Sequence, residues 1–229
     1  MIAQEISDRI CQRLDDDPTS PASFTAAEVL AAINEGQELA SLLTLCIERV
    51  ATLPIPAAAF FLIPGTITDF LVPLRLSIAG VRIRPATMAQ LDMLDPAWQT
   101  STDTPARYFS RGFNLFGVTP QPATWMDSEL IYAAAPHALL SGSTPEMPEA
   151  YHQSLIDYGC YRVKLKEGGQ GLQRGLAYLH RFLDDMTRLG DFVRAKSRAA
   201  NKDTLPFELA LFDRSRLIPK IAKGVLGAA

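Results

Sequence analysis

The sequence predicts a mainly α-helical protein: a helical bundle with a small inserted antiparallel β domain and an extended C-terminal arm. Three observations carry that expectation. Apolar residues recur at helical spacing in residues 25–50 and again in residues 148–198. Twelve of the 16 prolines fall between residues 53 and 148, where long regular helices therefore cannot run. Charge is unevenly divided, because residues 1–193 carry 14 Lys and Arg against 22 Asp and Glu, whereas residues 194–229 carry 8 against 3. An acidic body with a basic end suggests a last stretch that contacts something other than its own domain.

The elements follow in order. Residues 3–14 place Ile6, Ile10 and Leu14 at fourfold spacing and predict a short amphipathic helix that stops at Asp15-Asp16-Asp17-Pro18. Residues 17–24, rich in Pro, Ser and Thr, read as a loop. Thr25 and Glu28 then fit a capping box. The helix they open is expected to run to about residue 50, burying Val29, Leu30, Ile33, Leu39, Leu43, Cys46, Ile47 and Val50 on one face. Gly36 costs up to ~1 kcal/mol in mid-helix relative to alanine, so a close approach by another helix is expected there.

In the proline-rich middle, residues 81–84 alternate with period two, and Thr87 with Gln90 caps a short helix through Leu94. Residues 108–110 and 113–118 predict a hairpin around Arg111-Gly112, and residues 128–134 another strand. Three or four strands are expected in all. Helical spacing returns at residues 148–166, breaks at Glu167-Gly168-Gly169-Gln170-Gly171, and resumes to about residue 198. There Leu172, Leu176, Leu179, Leu183, Met186, Gly190 and Val193 form a seam, widened by Phe182, Leu189 and Phe192. The seam packs against the helix of residues 25–50, against a neighbouring subunit, or against both. The expected units are residues 1–52 and 146–199 as bundle helices, 53–145 as the β-rich insert, and 200–229 as the arm.

The arm is too apolar for a disordered tail and too broken by Pro206, Pro219, Gly224 and Gly227 for one long helix. Its candidate partner-binding residues are Phe207, Leu209, Leu211, Phe212, Arg214, Arg216, Leu217, Ile218, Lys220 and Lys223. Ordering on a partner fits this mixture. Folding back over its own core and lying on a membrane surface are the rivals.

The sequence holds little that signals chemistry. With 48% apolar and 21% charged residues it is neither disordered nor fibrous, and its size lets it bury roughly 70% of its unfolded surface. Cys11, Cys46 and Cys160 are odd in number and form no CxxC pair, so no disulfide framework or zinc ribbon is expected. His137, His152 and His180 make no metal-binding pair and read as surface or helix-flank residues. The glycines at 168–171 lack the lysine of a phosphate loop, Ser141-Gly142-Ser143 is no nucleophile elbow, and adjacent Asp184 and Asp185 diverge on a helix. No catalytic residue, metal or cofactor is expected. Arg75, Arg82, Arg84, Arg107 and Arg111 could face a nucleic-acid backbone, but the acidic body argues against specific DNA binding. The acidic N-terminus is unlike a signal peptide and points to synthesis in the cytoplasm. The apolar residues 51–72 are broken by Pro54, Pro56 and Pro64 and contain Asp69, so no membrane span is expected.

One resemblance gives the parts a common purpose. VRIRPATMAQLDMLDPAW from Val81 to Trp98, Thr104-Pro105 with Tyr108, GFNLFGVTP from Gly112, PEMPEAYH from Pro145 and LKEGG from Leu165 resemble the head-to-tail adaptor, or connector, proteins of tailed double-stranded DNA bacteriophages. Ile33-Asn34-Glu35-Gly36-Gln37 is similar to that family's opening helix. The resemblance implies a non-enzymatic virion neck protein made in the host cytoplasm. It also implies a ring, typically dodecameric, below the portal protein, extending the DNA channel and holding tail or stopper proteins, with DNA only as non-specific cargo. The alternative is a helical enzyme or regulatory protein with no recognisable site.

Overall fold

Two reciprocal caps open helices where the sequence places them. The Thr25 hydroxyl accepts from the Glu28 amide while the Glu28 carboxylate takes the Thr25 amide, and Thr87 and Gln90 repeat the arrangement. The computed structural model describes residues 1–19, 24–58, 61–62, 67–110, 115–166 and 168–199. Five α-helices are present among them: α1 (Ala3–Arg13), α2 (Ala26–Thr44), α3 (Met88–Leu94), α4 (His152–Lys166) and α5 (Gly169–Ala199), with a 3-10 turn at Glu149–Tyr151. Seven strands accompany them: β1 (Glu48–Ile55), β2 (Phe61–Leu62), β3 (Phe70–Ile78), β4 (Val81–Pro85), β5 (Arg107–Ser110), β6 (Phe116–Thr119) and β7 (Met126–Ala134).

The expectation of a mainly helical protein with a small β insert is therefore corrected. Helix accounts for 46% and strand for 23% of the structure. The sheet has the order β1-β7-β3-β4-β5-β6-β2, six strands of four residues or more and the two-residue β2. It is antiparallel except between β4 and β5, where Arg84 and Pro85 run alongside Arg107 and Tyr108. Strand β4 joins two halves of the sheet, pairing with β3 through its first three residues and with β5 through its last two.

The extra strands come from two places. Helix α2 stops at Thr44 because Leu45 turns left-handed, at φ 54°, and its amide closes on the Ser41 carbonyl. Residues expected to continue the helix therefore belong elsewhere: Ile47 enters the sheet core, and Val50 lies on strand β1, 63% exposed. Strand β3 holds the second surprise. Pro73 lies within this strand, beside a bulge between Pro73 and Arg75. Such a bulge tolerates proline because the ladder is already interrupted there.

Two main cores result. One joins α1, α2, α4 and α5 through Ile6, Ile10, Ile33, Leu155, Ile156, Phe182, Met186 and Leu189. The other lies on one sheet face, with Leu53, Ile55, Leu76, Ile83, Tyr108, Phe116, Val118 and Leu130. The α5 seam is buried only in its middle, at Phe182, Leu183, Met186 and Leu189, while Leu172 and Phe192 remain 37% and 59% exposed. Gly168, at φ +64°, makes the turn between α4 and α5 where the glycine-rich break was expected. No described helix is long and apolar enough to cross a membrane.

Candidate functional site

Helix α2 presents a polar face to the segment that leaves the sheet. The Asn34 side chain accepts from the Leu139 amide at 2.7 Å and donates to the Leu139 carbonyl at 3.3 Å. Gln37 donates to the His137 carbonyl at 3.2 Å and accepts from the Glu146 amide at 2.9 Å, and Ser41 donates to the Ala134 carbonyl at 2.7 Å. The start of α1 adds two bonds to the same segment, from the Ala3 and Gln4 amides to the Ser143 and Ser141 carbonyls. Gln37 and Ser41 are buried, so these bonds satisfy backbone groups that water cannot reach.

The Asn34-Glu35-Gly36-Gln37 motif now has a physical reading. Asn34 and Gln37 hold the connecting segment. Glu35 accepts from the Tyr158 hydroxyl at 2.9 Å and pairs with Arg162 at 2.9 Å. Gly36 faces Tyr158 so closely that a Cβ there would stand 2.8 Å from Cδ1 of the ring. The close helix approach expected at Gly36 is thus made by α4. The stretch from Val81 to Trp98 is equally structural. Trp98 stands edge-on to Phe109 with ring centroids 5.0 Å apart and donates from Nε1 to Asp92 at 2.7 Å, while its carbonyl accepts from Thr119.

Charge concentrates where helices and sheet meet. Arg49 on β1 bonds Asp69, pairs with Glu146 at 2.5 Å and contacts the His137 ring at 2.9 Å, and the Tyr132 hydroxyl donates to Asp69. Burial of Glu146 works against its charge, but the His137 amide and the Arg49 guanidinium outweigh it and hold its carboxyl below the usual range. A carboxylate lowered on folding stabilises the fold above its ordinary value, near 4.5, and that contribution fades as pH falls through the lowered value. The Glu146→Gln variant is therefore expected to lose roughly 1–2 kcal/mol at pH 7. Its deficit should shrink as pH falls below the ordinary carboxylate range, as urea unfolding at pH 7 and pH 3 will measure.

Several expected candidates are placed differently or not at all. Of the two places expected for His152, the surface and a helix flank, it takes the second: it opens α4 but is 1% exposed, with Nε2 3.0 Å from the Met147 carbonyl and Nδ1 3.3 Å from the N-terminal amine. Cys160 is buried, and burial pushes its thiol up to about 12. Arg75, Arg82, Arg84 and Arg107 come together on one face of the sheet, whereas Arg111 lies outside the described residues. The ten arm residues, Phe207, Leu209, Leu211, Phe212, Arg214, Arg216, Leu217, Ile218, Lys220 and Lys223, all lie outside the described residues as well. Helix α5 brings the chain to Ala199, at the root of that arm. Sequence reasoning missed the Arg49 network, because Arg49, Asp69 and Glu146 are scattered along the chain and no spacing joins them.

The family profile described as SU10 adaptor protein matches residues 1–205. The chain belongs to the SU10 adaptor family. No curated protein matches it. Membership makes the chain a phage adaptor and a virion component, in agreement with the connector resemblance in its sequence. It also places the chain among structural proteins and implies contacts with other components of the phage neck.

Proposed function

We propose that this adaptor assembles into a ring, dodecameric in the full neck, below the portal protein, where it extends the DNA channel and supports tail or stopper proteins. The observation that carries the proposal is the family match, which spans the whole described body. The helical core and the sheet give each copy a fixed body, and the basic arm of residues 200–229 is the segment proposed to dock on the portal. A subunit held by such an arm gains effective concentration from every neighbour already docked on the symmetric portal. The interface between subunits of a closed ring is heterologous, so two different surfaces of each body must match.

The test compares the full chain with one ending at Ala200 as baits in lysate from lytic growth of the source phage. The shortened chain is expected to keep its melting temperature within about 2 °C, since small surface effects stay within ±0.5 kcal/mol. Only the full chain should retain the portal. Equal portal recovery by both baits would remove the arm from the interface, and no virion protein on either bait would overturn the ring assignment.

A further inference from the structure

The sheet has a second face, opposite its core, and its charges are sorted. Register places Glu48, Val50, Thr52 and Pro54 of β1 on that face beside Asp127, Glu129 and Ile131 of β7. Strand β3 continues it with Arg75 opposite Ile131 and Ser77 opposite Glu129. Arg82 of β4 pairs with Ser77, Arg84 follows two residues later on the same face, and Arg107 of β5 stands in register with Arg84. One half therefore carries Glu48, Asp127 and Glu129, and the other carries Arg75, Arg82, Arg84 and Arg107. A hollow lined by Thr52, Arg75, Ser77, Asp127 and Glu129 marks the border between them.

This sorting is unusual for a face that meets only water. Among the described residues, Arg75, Arg84, Arg107, Asp127 and Glu129 have no ion-pair partner. Arg84 and Arg107 are like charges in register, an arrangement that disfavours the isolated sheet. Apolar surface lies among the charges at Val50, which pairs with Ile131 and is 63% exposed. The acidic half and the basic half of this face are two different and complementary surfaces, as a heterologous contact between successive copies requires.

From this arrangement we infer that the outer sheet face is an interface between copies of this chain, the arginine half of one body meeting the acidic half of the next. The inference deepens the ring assignment and rests on it. A second copy suits the face better than nucleic acid does, because Glu48, Asp127 and Glu129 would repel phosphates on the same surface. Complementary potentials of this kind fix partner and register, and like charges brought together cost several kcal/mol.

The test uses two full-length double variants, Arg84→Glu with Arg107→Glu and Asp127→Arg with Glu129→Arg. Sedimentation of the wild-type chain over concentration and salt should show self-association that weakens as salt rises. Each double variant alone should associate at least about tenfold more weakly. An equimolar mixture of the two should recover association, because the predominantly acidic face of one then meets the predominantly basic face of the other. Circular dichroism and melting establish that each variant folds, and the single changes Arg84→Glu and Glu129→Arg replace any double variant that does not. The proposal is overturned by a wild-type chain that stays monomeric, by a variant that associates like wild type, or by folded variants whose mixture fails to recover. It is also overturned if the arginine changes abolish capture of a random duplex DNA while leaving self-association intact. All four outcomes leave the portal pull-down free to uphold or sink the ring itself.

Discussion

Replacing Phe182 by alanine is expected to lower the unfolding free energy by about 3–5 kcal/mol, the usual range for a fully buried phenylalanine. Phe182 is 0% exposed at the middle of α5, its ring 4.9 Å from that of Tyr158, in the core shared with α1, α2 and α4. It lies in the only part of the α5 seam that is deeply covered, so the neighbours cannot close the cavity by sliding the helix without uncovering Met186 and Leu189. At roughly 2–4 °C per kcal/mol for a chain of this size, the melting temperature should drop by about 6–20 °C. Calorimetry will measure it. A loss under 1 kcal/mol would mean that α5 is not held in the bundle as described.

Arg13→Ala should come next in size, and its effect should depend on pH. Arg13, at the end of α1, reaches Asp157 of α4 at 2.5 Å; the aspartate side chain is 6% exposed and the arginine 35%. Burial already raises the Asp157 carboxyl above its ordinary value, and Arg13 only partly offsets that. Without Arg13 the buried charge keeps a weaker, more distant attraction to Arg181 and stays close to Asp185. Breaking such a pair costs about 3–5 kcal/mol when both partners are buried, and the exposure of Arg13 places this case near 3. A raised carboxyl makes its stabilising contribution at low pH and loses it as pH rises through the folded value. The deficit of the variant should therefore be largest at pH 7 and shrink toward pH 4, opposite in sign to any effect of losing Asp157 itself. Urea unfolding at the two pH values decides it, and an equal deficit at both would mean that the charge state of Asp157 does not set the size of the loss.

Local signals were legible where they are self-contained. The Thr25–Glu28 and Thr87–Gln90 caps, the alternation of β4, the β5–β6 pairing and the glycine break before α5 each depend on residues a few positions apart. Strand β1 was hidden because Ile47 and Val50 happen to continue the spacing of α2, and because the helix ends on a left-handed leucine rather than a glycine. Strand β3 was hidden by Pro73, whose tolerance depends on a bulge that only pairing with β7 creates. Missing those two strands concealed the central pairing with β7, and with it the true balance of helix and sheet. The charged face was half visible: Arg82 and Arg84 stood out at alternate positions, but the acidic counterparts Glu48, Asp127 and Glu129 are distant in sequence and become neighbours only through register.

The segment stitched to α2 has a mechanical consequence. Asn34, Gln37 and Ser41 grip it at successive turns of one helix, and the α1 amides grip it again farther along. A pull that drags the sheet lengthwise past the helices strains these bonds side by side, so they share the load and must yield together. A pull that peels the segment away from one end strains them singly, and each yields before the next is stressed. The joint is thus stiff to sliding along α2 and weak to peeling away from it.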